Sequence, residues 1–373
     1  MRKLAATVFF DSFVLLLLGL VIVMSASSTY SDLKFDSLFH LFNSHLFKVL
    51  FGIFCMLIFS AIPYKLYKEY SKPAIILVTL LLVYTLFAAT EIKGAGRWIN
   101  LGFITFQPSD VARLIIIIHL AGMIEDKKEF IGNFKYGFMY MFFWVIVISG
   151  LVFLQPNISN GTIIIGISLA MLFVGGAKLR HIFSSIFFSL VGGGTIAMIF
   201  AHSRSRILTF VHHLTQGGDI NLQVKQAILG LGSGGVWGVG LGHSMQSNLF
   251  LPEAYGDFIF AILGEELGFL GSVIVMTCYL ILLIAGIVIA KKTKDTYGQL
   301  LAFGITFSIV TNAFINIAVA TGVVPTTGLP LPFISYGGTS LVFLCISVGI
   351  LVNIALSNAQ NKTLEIKSAA AKS

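Results

Sequence analysis

Four carboxylates, Glu253, Asp257, Glu265 and Glu266, fall within LPEAYGDFIFAILGEELGFLG, Leu251 to Gly271, in a chain where only 11% of residues are charged. The stretch lies where a polar segment meets an apolar one. A carboxylate at such a boundary is partly desolvated, which raises its basicity while leaving it open to water and to a charged substrate. General acid/base work at a membrane surface is the chemistry that suits this placement.

The elements that must hold these groups are apolar. Of 373 residues, 57% are hydrophobic and 34 are Phe, with a mean hydropathy of +0.93. Those values exclude a soluble protein and point to an integral membrane protein. Apolar runs long enough for a spanning helix lie at about 8–24, 46–62, 74–90, 110–124, 136–154, 161–177, 183–201, 271–290, 299–321 and 338–356. The expected fold is all-α, with about ten transmembrane helices in one polytopic domain over 1–373. A large outer loop, 202–256, separates spans seven and eight, and a cytoplasmic tail covers 357–373. The first run fits either a secretory signal peptide or an uncleaved first span, and a polytopic chain can use the latter. The eight prolines all lie at or near run ends, where helices stop. Cys55, Cys278 and Cys345 lie inside apolar runs at no paired spacing, so no disulfide framework is implied.

Charge orients the frame. Sixteen of the 24 Lys and Arg residues lie in the N-terminus, the tail and the loops after spans two, four, six and eight, which places both termini in the cytoplasm and 202–256 outside. The net charge of +8 therefore reports topology and does not imply nucleic acid. Lys93, Arg97, Arg113, Arg204, Arg206 and Lys225 oppose that bias and share the outer face with Asp257. Cations beside carboxylates at the outer surface suggest an anionic substrate such as a lipid-linked phosphate or diphosphate.

Other motifs read more plainly. Gly230 to Gly235 fits G-x-G-x-x-G, but no βαβ unit surrounds it. A turn, or a nest of backbone N–H groups for a phosphate, is the expected role. Lys93 to Asp110, KGAGRWINLGFITFQPSD, nearly alternates apolar and polar residues and is expected to lie in the outer interface, as an anchor or near substrate. Asp110 and Arg113, three apart at a helix start, pair on one face either as a structural ion pair or as a substrate contact. His119 reads as a core histidine, and His202, His212, His213 and His243 have no metal-ligand spacing. Thr321 to Ser340, rich in Pro and Gly and without charge, is either a re-entrant segment lining a cavity or a tight outer loop.

GRWI (Gly96 to Ile99), QPSD (Gln107 to Asp110), GSGG (Gly232 to Gly235), LPEA and DFIF (Leu251 to Phe260), GEELGFLG (Gly264 to Gly271) and GLPLPFISYGGTS (Gly328 to Ser340) together resemble the SEDS family, the shape, elongation, division and sporulation proteins. The resemblance spans nearly the whole chain. VGLGHSMQSNLFLPEA and PTTG (Pro325 to Gly328) are more similar to its division branch, FtsW, than to RodA. It implies a peptidoglycan glycosyltransferase that polymerises lipid II outside the cytoplasmic membrane, with a class B penicillin-binding protein and other division proteins as partners and no nucleic acid. Asp257 matches the family's essential aspartate and would be the general base of an inverting transfer. Glu253, Arg206, Lys225, Arg97, Asp110, Arg113 and Ser335 would bind substrate. A divalent cation, Mg2+ or Mn2+, is the one cofactor allowed for. Three departures stand out: Tyr255-Gly256 replaces the usual His-Thr, Asn157 replaces the acid of QPDLGT, and Asp110 with Arg113 replaces a Glu–Lys pair. Two rival readings remain, a flippase for lipid-linked precursors and a catalytically silent division scaffold.

Overall fold

Long apolar runs without interior proline become long helices. The computed structural model describes residues 1–88, 90–92, 95–100, 105–217, 220–251 and 254–370. Its helices in chain order are α1 (Arg2–Phe35), α2 (His40–Ala61), the short α3 (Lys65–Glu69), α4 (Ser71–Ala88), α5 (Pro108–Asp126), α6 (Met139–Leu154), α7 (Ile158–Val174), α8 (Leu179–Ile199), α9 (Ala201–Gln216), α10 (Leu222–Ser233), α11 (Ile259–Lys292), α12 (Thr296–Ala320) and α13 (Thr339–Ala370). Among the described residues, seven helices are long and apolar enough to cross a membrane. α4 and α7 are shorter apolar helices, and α5 carries its charges at its two ends. The chain is an all-helical multi-pass membrane protein apart from one small sheet.

α12 forms the axis of the bundle and packs against α5, α7, α11 and α13, while α1 closes the wall between α2, α11 and α13. At the end bearing most of the Lys and Arg residues, the Lys68 ammonium meets Glu125 and Asp126, each at 2.6 Å. Burial works against that ammonium, but the two carboxylates outweigh it and raise its pKa. The Tyr64 hydroxyl donates to Asp295 at 2.5 Å, and burial together with that carboxylate pushes its pKa up.

Three details go beyond the expectations. The alternating stretch before α5 forms a three-stranded antiparallel sheet: β1 (Thr90–Ile92), β2 (Ala95–Asn100) and β3 (Thr105–Phe106), with Ile99 opposite Phe106. A period of two is a strand period, and the strands satisfy their backbone groups through one another. The segment 202–256 contains most of α9 and all of α10, because both stretches carry helical patterns of apolar residues. The expected tail after 356 continues α13 to Ala370.

The turn expected within Gly230 to Gly235 comes at its end, where α10 stops at Ser233 and Gly234 and Gly235 turn toward α11. α11 breaks at Gly268, whose φ of 69° and ψ of −167° interrupt the helix. The break frees the carbonyls of Glu265 and Glu266 and the N–H groups of Phe269 and Leu270. Val239 N and Gly240 N donate to those carbonyls at 3.0 Å each, and Phe269 N and Leu270 N donate to Gly235 O and Val236 O at 2.9 and 3.3 Å. Every group the kink orphans is thereby satisfied. A Cβ at Gly234 would collide with the Gly264 carbonyl, and one at Gly238 with the Glu266 carbonyl. Gly234 and Gly238 thus serve backbone-to-backbone packing.

Candidate active site

Asp257 stands in the turn that leads from the segment 202–256 into α11, half-buried. Its backbone is laced to the irregular segment 321–338. Asn316 Nδ2 of α12 donates to Asp257 O at 2.8 Å and to Leu329 O at 2.7 Å. Ser335 Oγ donates to Gly256 O at 2.7 Å and accepts from Leu331 N at 2.7 Å. Tyr336 N donates to Tyr255 O at 2.9 Å. Three successive carbonyls before α11 are therefore fixed, two from that segment and one from α12, by bonds that do not involve the Asp257 carboxylate.

That segment is itself packed inward. Leu329, Leu331, Phe333 and Ile334 are buried, and a Cβ at Gly19 of α1 would collide with the Phe333 carbonyl. The second half of the segment thus packs against the helices, while Val323 in its first half stays exposed. The buried Ser335 has its hydroxyl engaged with protein on both sides, so it braces the turn where the expectation had it touching substrate.

Arg206 of α9 reaches the same turn. Its Nη1 donates to Thr326 O at 3.3 Å. A methyl group at Gly328 would sit 3.5 Å from Asp257 Oδ2 and 3.7 Å from Arg206 Nη1, so the carboxylate and the guanidinium face one small volume over the Gly328 Cα. Gly328 has φ +71°, a backbone conformation that admits glycine most readily. Beside it a hollow of about 10 Å³ opens between Arg206, Thr209, Asn221, Val224 and Thr326. Gly328→Ala is expected to lower turnover at least tenfold while costing about 1–2 kcal/mol of stability. Steady-state kinetics beside thermal unfolding separates the two effects.

The expected convergence of outer cations is met in part. Arg113 lies in the first turns of α5, half-buried, with Nη2 at 3.7 Å from Asp110 Oδ1. The pair borders a cavity of about 30 Å³ together with Ser308, Asn312 and Ser347 of α12 and α13. Asn312 and Asn316 lie one turn apart on α12, so this cavity and the Asp257 turn share a helix face. Lys225 and Arg204 are exposed on α10 and α9. Glu253, Lys93 and the Arg97 side chain lie outside the described residues.

Glu265 and Glu266 are buried staples. Glu265 accepts from Ser244 Oγ at 2.5 Å, Met245 N at 3.1 Å and Gln246 N at 3.4 Å, while Glu266 accepts from Ser25 Oγ and from Gly242 N at 3.1 Å. They tie the outer segment to α11 and to α1. Asn316, Gly328 and Ser159, whose hydroxyl donates to Thr327 O at 2.7 Å, are site residues the sequence reading missed. Two asparagines four apart, Asn312 and Asn316, within a largely apolar run were the available signal.

Among the described residues no three His, Cys, Asp or Glu side chains gather to hold a metal ion. Arg206 also occupies the position beside Asp257 where a cation would be drawn.

A family model described as cell cycle protein, FtsW/RodA/SpoVE, matches residues 6–360. The chain belongs to the FtsW/RodA/SpoVE family. It is 34% identical to stage V sporulation protein E of Bacillus subtilis, over 91% of this chain and 94% of that one. It is 35% identical to a probable peptidoglycan glycosyltransferase FtsW of Coxiella burnetii, over 91% and 93%. Two solved structures share the fold. One is a chain from a peptidoglycan synthase complex studied for the coordination of polymerization and crosslinking (TM-score 0.76, 22% identity, 95% and 98% coverage). The other is the rod shape determining protein RodA of Thermus thermophilus (TM-score 0.70, 22% identity, 94% and 96% coverage).

Asn157, which departs from the FtsW/RodA/SpoVE pattern, donates through Nδ2 to Ser109 Oγ at 3.2 Å, and Asn160 reaches the same oxygen at 3.4 Å. The hydroxyl of QPSD is thus held by two amides of the substituted motif. Asn157→Asp, which turns the donor into an acceptor for the Ser109 hydroxyl, is expected to shift the unfolding midpoint by a few degrees at most. A larger loss in a thermal melt would show that the amide is required.

Proposed function

We propose that this chain is the division-type peptidoglycan glycosyltransferase of its family, polymerising lipid II at the outer face of the cytoplasmic membrane. The observation that carries the reading is the meeting of the Asp257 carboxylate and the Arg206 guanidinium over Gly328. Ten helices cross the bilayer, both termini are cytoplasmic, and Asp257 faces outward. A class B penicillin-binding protein, which crosslinks the strands, is the partner, together with other division proteins.

Asp257 takes the proton from the 4-hydroxyl of the acceptor sugar as that oxygen attacks the anomeric carbon of the growing strand. The bond from that carbon to the lipid diphosphate breaks with inversion, and undecaprenyl diphosphate leaves. Negative charge grows on the leaving diphosphate, where Arg206 supplies charge-assisted hydrogen bonds. Arg206→Ala is expected to lower kcat by 10²–10³, about the cost of losing one such donor. Arg206→Lys restores part, since an ammonium keeps the charge without the fork.

The deciding experiment incubates the purified chain with lipid II, alone and with its class B partner, and runs precursor translocation in liposomes alongside. Glycan strands without translocation fit the reading. Translocation without strands would establish the flippase, and neither activity from folded protein would leave the scaffold.

A further inference from the structure

Beyond the break at Gly268, α11 runs from Phe269 to Lys292 and carries no charged residue before Lys291. At roughly 1.5 Å per residue the helix from Phe269 to Lys291 is about 33 Å long, close to the ~30 Å thickness of a bilayer's hydrocarbon layer. Phe269 therefore lies at one membrane boundary when Lys291 and Lys292 lie at the other. Phe269, Leu270, Ile274, Leu280, Ile281 and Ile284 are exposed and give this half of the helix an apolar outer face.

The segment 235–241 sits on the Phe269 end. Gly235 O and Val236 O accept from Phe269 N and Leu270 N, while Val239 N and Gly240 N donate to Glu265 O and Glu266 O across the break. Gly238 N donates to Gly234 O at 2.8 Å, and Gly242 N donates to Ser25 Oγ at 3.0 Å. An irregular segment whose backbone groups find partners in protein meets the condition for entering a low-dielectric layer. Its side chains remain uncovered: Trp237 is 81% exposed, and Val236, Val239 and Leu241 are exposed beside it. No Asp, Glu, Lys or Arg occurs between Lys225 and Glu253.

We propose that the segment 235–241, carrying Trp237, is a membrane wedge that seats in the phospholipid leaflet on the Asp257 side, where headgroups meet acyl chains. Trp suits that boundary because its ring is apolar while its N–H bonds an oxygen of the headgroup region. A patch built for a protein partner is ordinarily rimmed by polar residues. Here the apolar surface continues without a charge into the exposed face of α11, which crosses the membrane. The segment is bonded to Glu265 and Glu266, in the half of α11 that follows the Asp257 turn, so lipid contact at Trp237 sets the height of Asp257 over the bilayer.

The test uses the full-length protein alone in nanodiscs, without lipid II. Trp237 is read as the difference in fluorescence between the wild type and Trp237→Phe, which leaves Trp98 and Trp144 in place in both. Lipids brominated near the glycerol are expected to quench that signal about twofold or more, lipids brominated near the acyl-chain end less, and aqueous iodide little. Full quenching by iodide with none by either bromolipid would overturn the wedge. Protection from iodide that arises only when the class B partner is added would assign the face to a protein and overturn it as well. In the same nanodiscs Trp237→Glu is expected to raise KM for lipid II about threefold or more, with Trp237→Tyr close to the wild type. Bromolipid quenching with an unchanged KM in Trp237→Glu would overturn the link to the height of Asp257. The wedge rests on the glycosyltransferase reading only for this kinetic readout, so a wild type that forms no strands would overturn that reading and leave the quenching result to decide the wedge.

Discussion

Asp257→Asn is expected to lower the rate of glycan-strand formation by on the order of 10²–10⁴, the usual worth of a positioned general base. Asn has the shape of Asp and cannot accept the proton. The local backbone does not need the carboxylate, because Asn316 holds the Asp257 carbonyl and Ser335 holds that of Gly256. The unfolding midpoint is therefore expected to stay within a few degrees of wild type. Asp257→Glu keeps the charge and extends the reach by one methylene, and a displacement of that size at a reacting centre costs about 10². An activity series of Asp, then Glu, then Asn, at constant stability, would distinguish proton transfer from a structural role.

Gly268→Ala is expected to be the most damaging single methyl group in the described chain. The φ of 69° with ψ of −167° lies in a region open almost only to glycine. An added Cβ would also meet the Gly238 N–H and the Val236 carbonyl at collision distance. Relieving that contact separates α11 from 235–240 and exposes the four backbone groups the kink had left to be paired there. Backbone strain and lost packing together cost on the order of 3 kcal/mol or more. Thermal unfolding and amide exchange at Val239 and Gly240, whose N–H groups donate into α11, would report it. Unchanged protection at those two amides would mean the kink is not held as described.

Composition made most of this fold legible. A span declares itself by length and hydropathy, because a bilayer asks only for about 20 apolar residues with their backbone satisfied internally. The short sheet was harder. Its alternation was visible, but the same spacing suits a segment lying in the interface, and pairing between strands leaves no separate mark in one sequence. The outer segment misled through its glycines. They looked like a flexible turn, whereas Gly234 and Gly238 also allow close approach to the backbone of α11.

The candidate site was legible where charge was scarce. Asp257 and Arg206 stood out because ions near a membrane are costly and need a reason. Glu265 and Glu266 stood out equally and proved to be staples, since burial with many backbone donors is invisible without the fold. Ser335, Asn316 and Gly328 act through contacts with residues tens of positions away. No local pattern distinguishes a serine that braces a turn from one that touches substrate.

The most direct measurement is single-turnover conversion of labelled lipid II by the wild type and by Asp257→Asn, with lipid II binding measured on the same samples. The account predicts binding within a few fold in both proteins and a bond-forming step at least 10² slower in the variant. A variant that binds lipid II and forms strands at the wild-type rate would contradict Asp257 as the base.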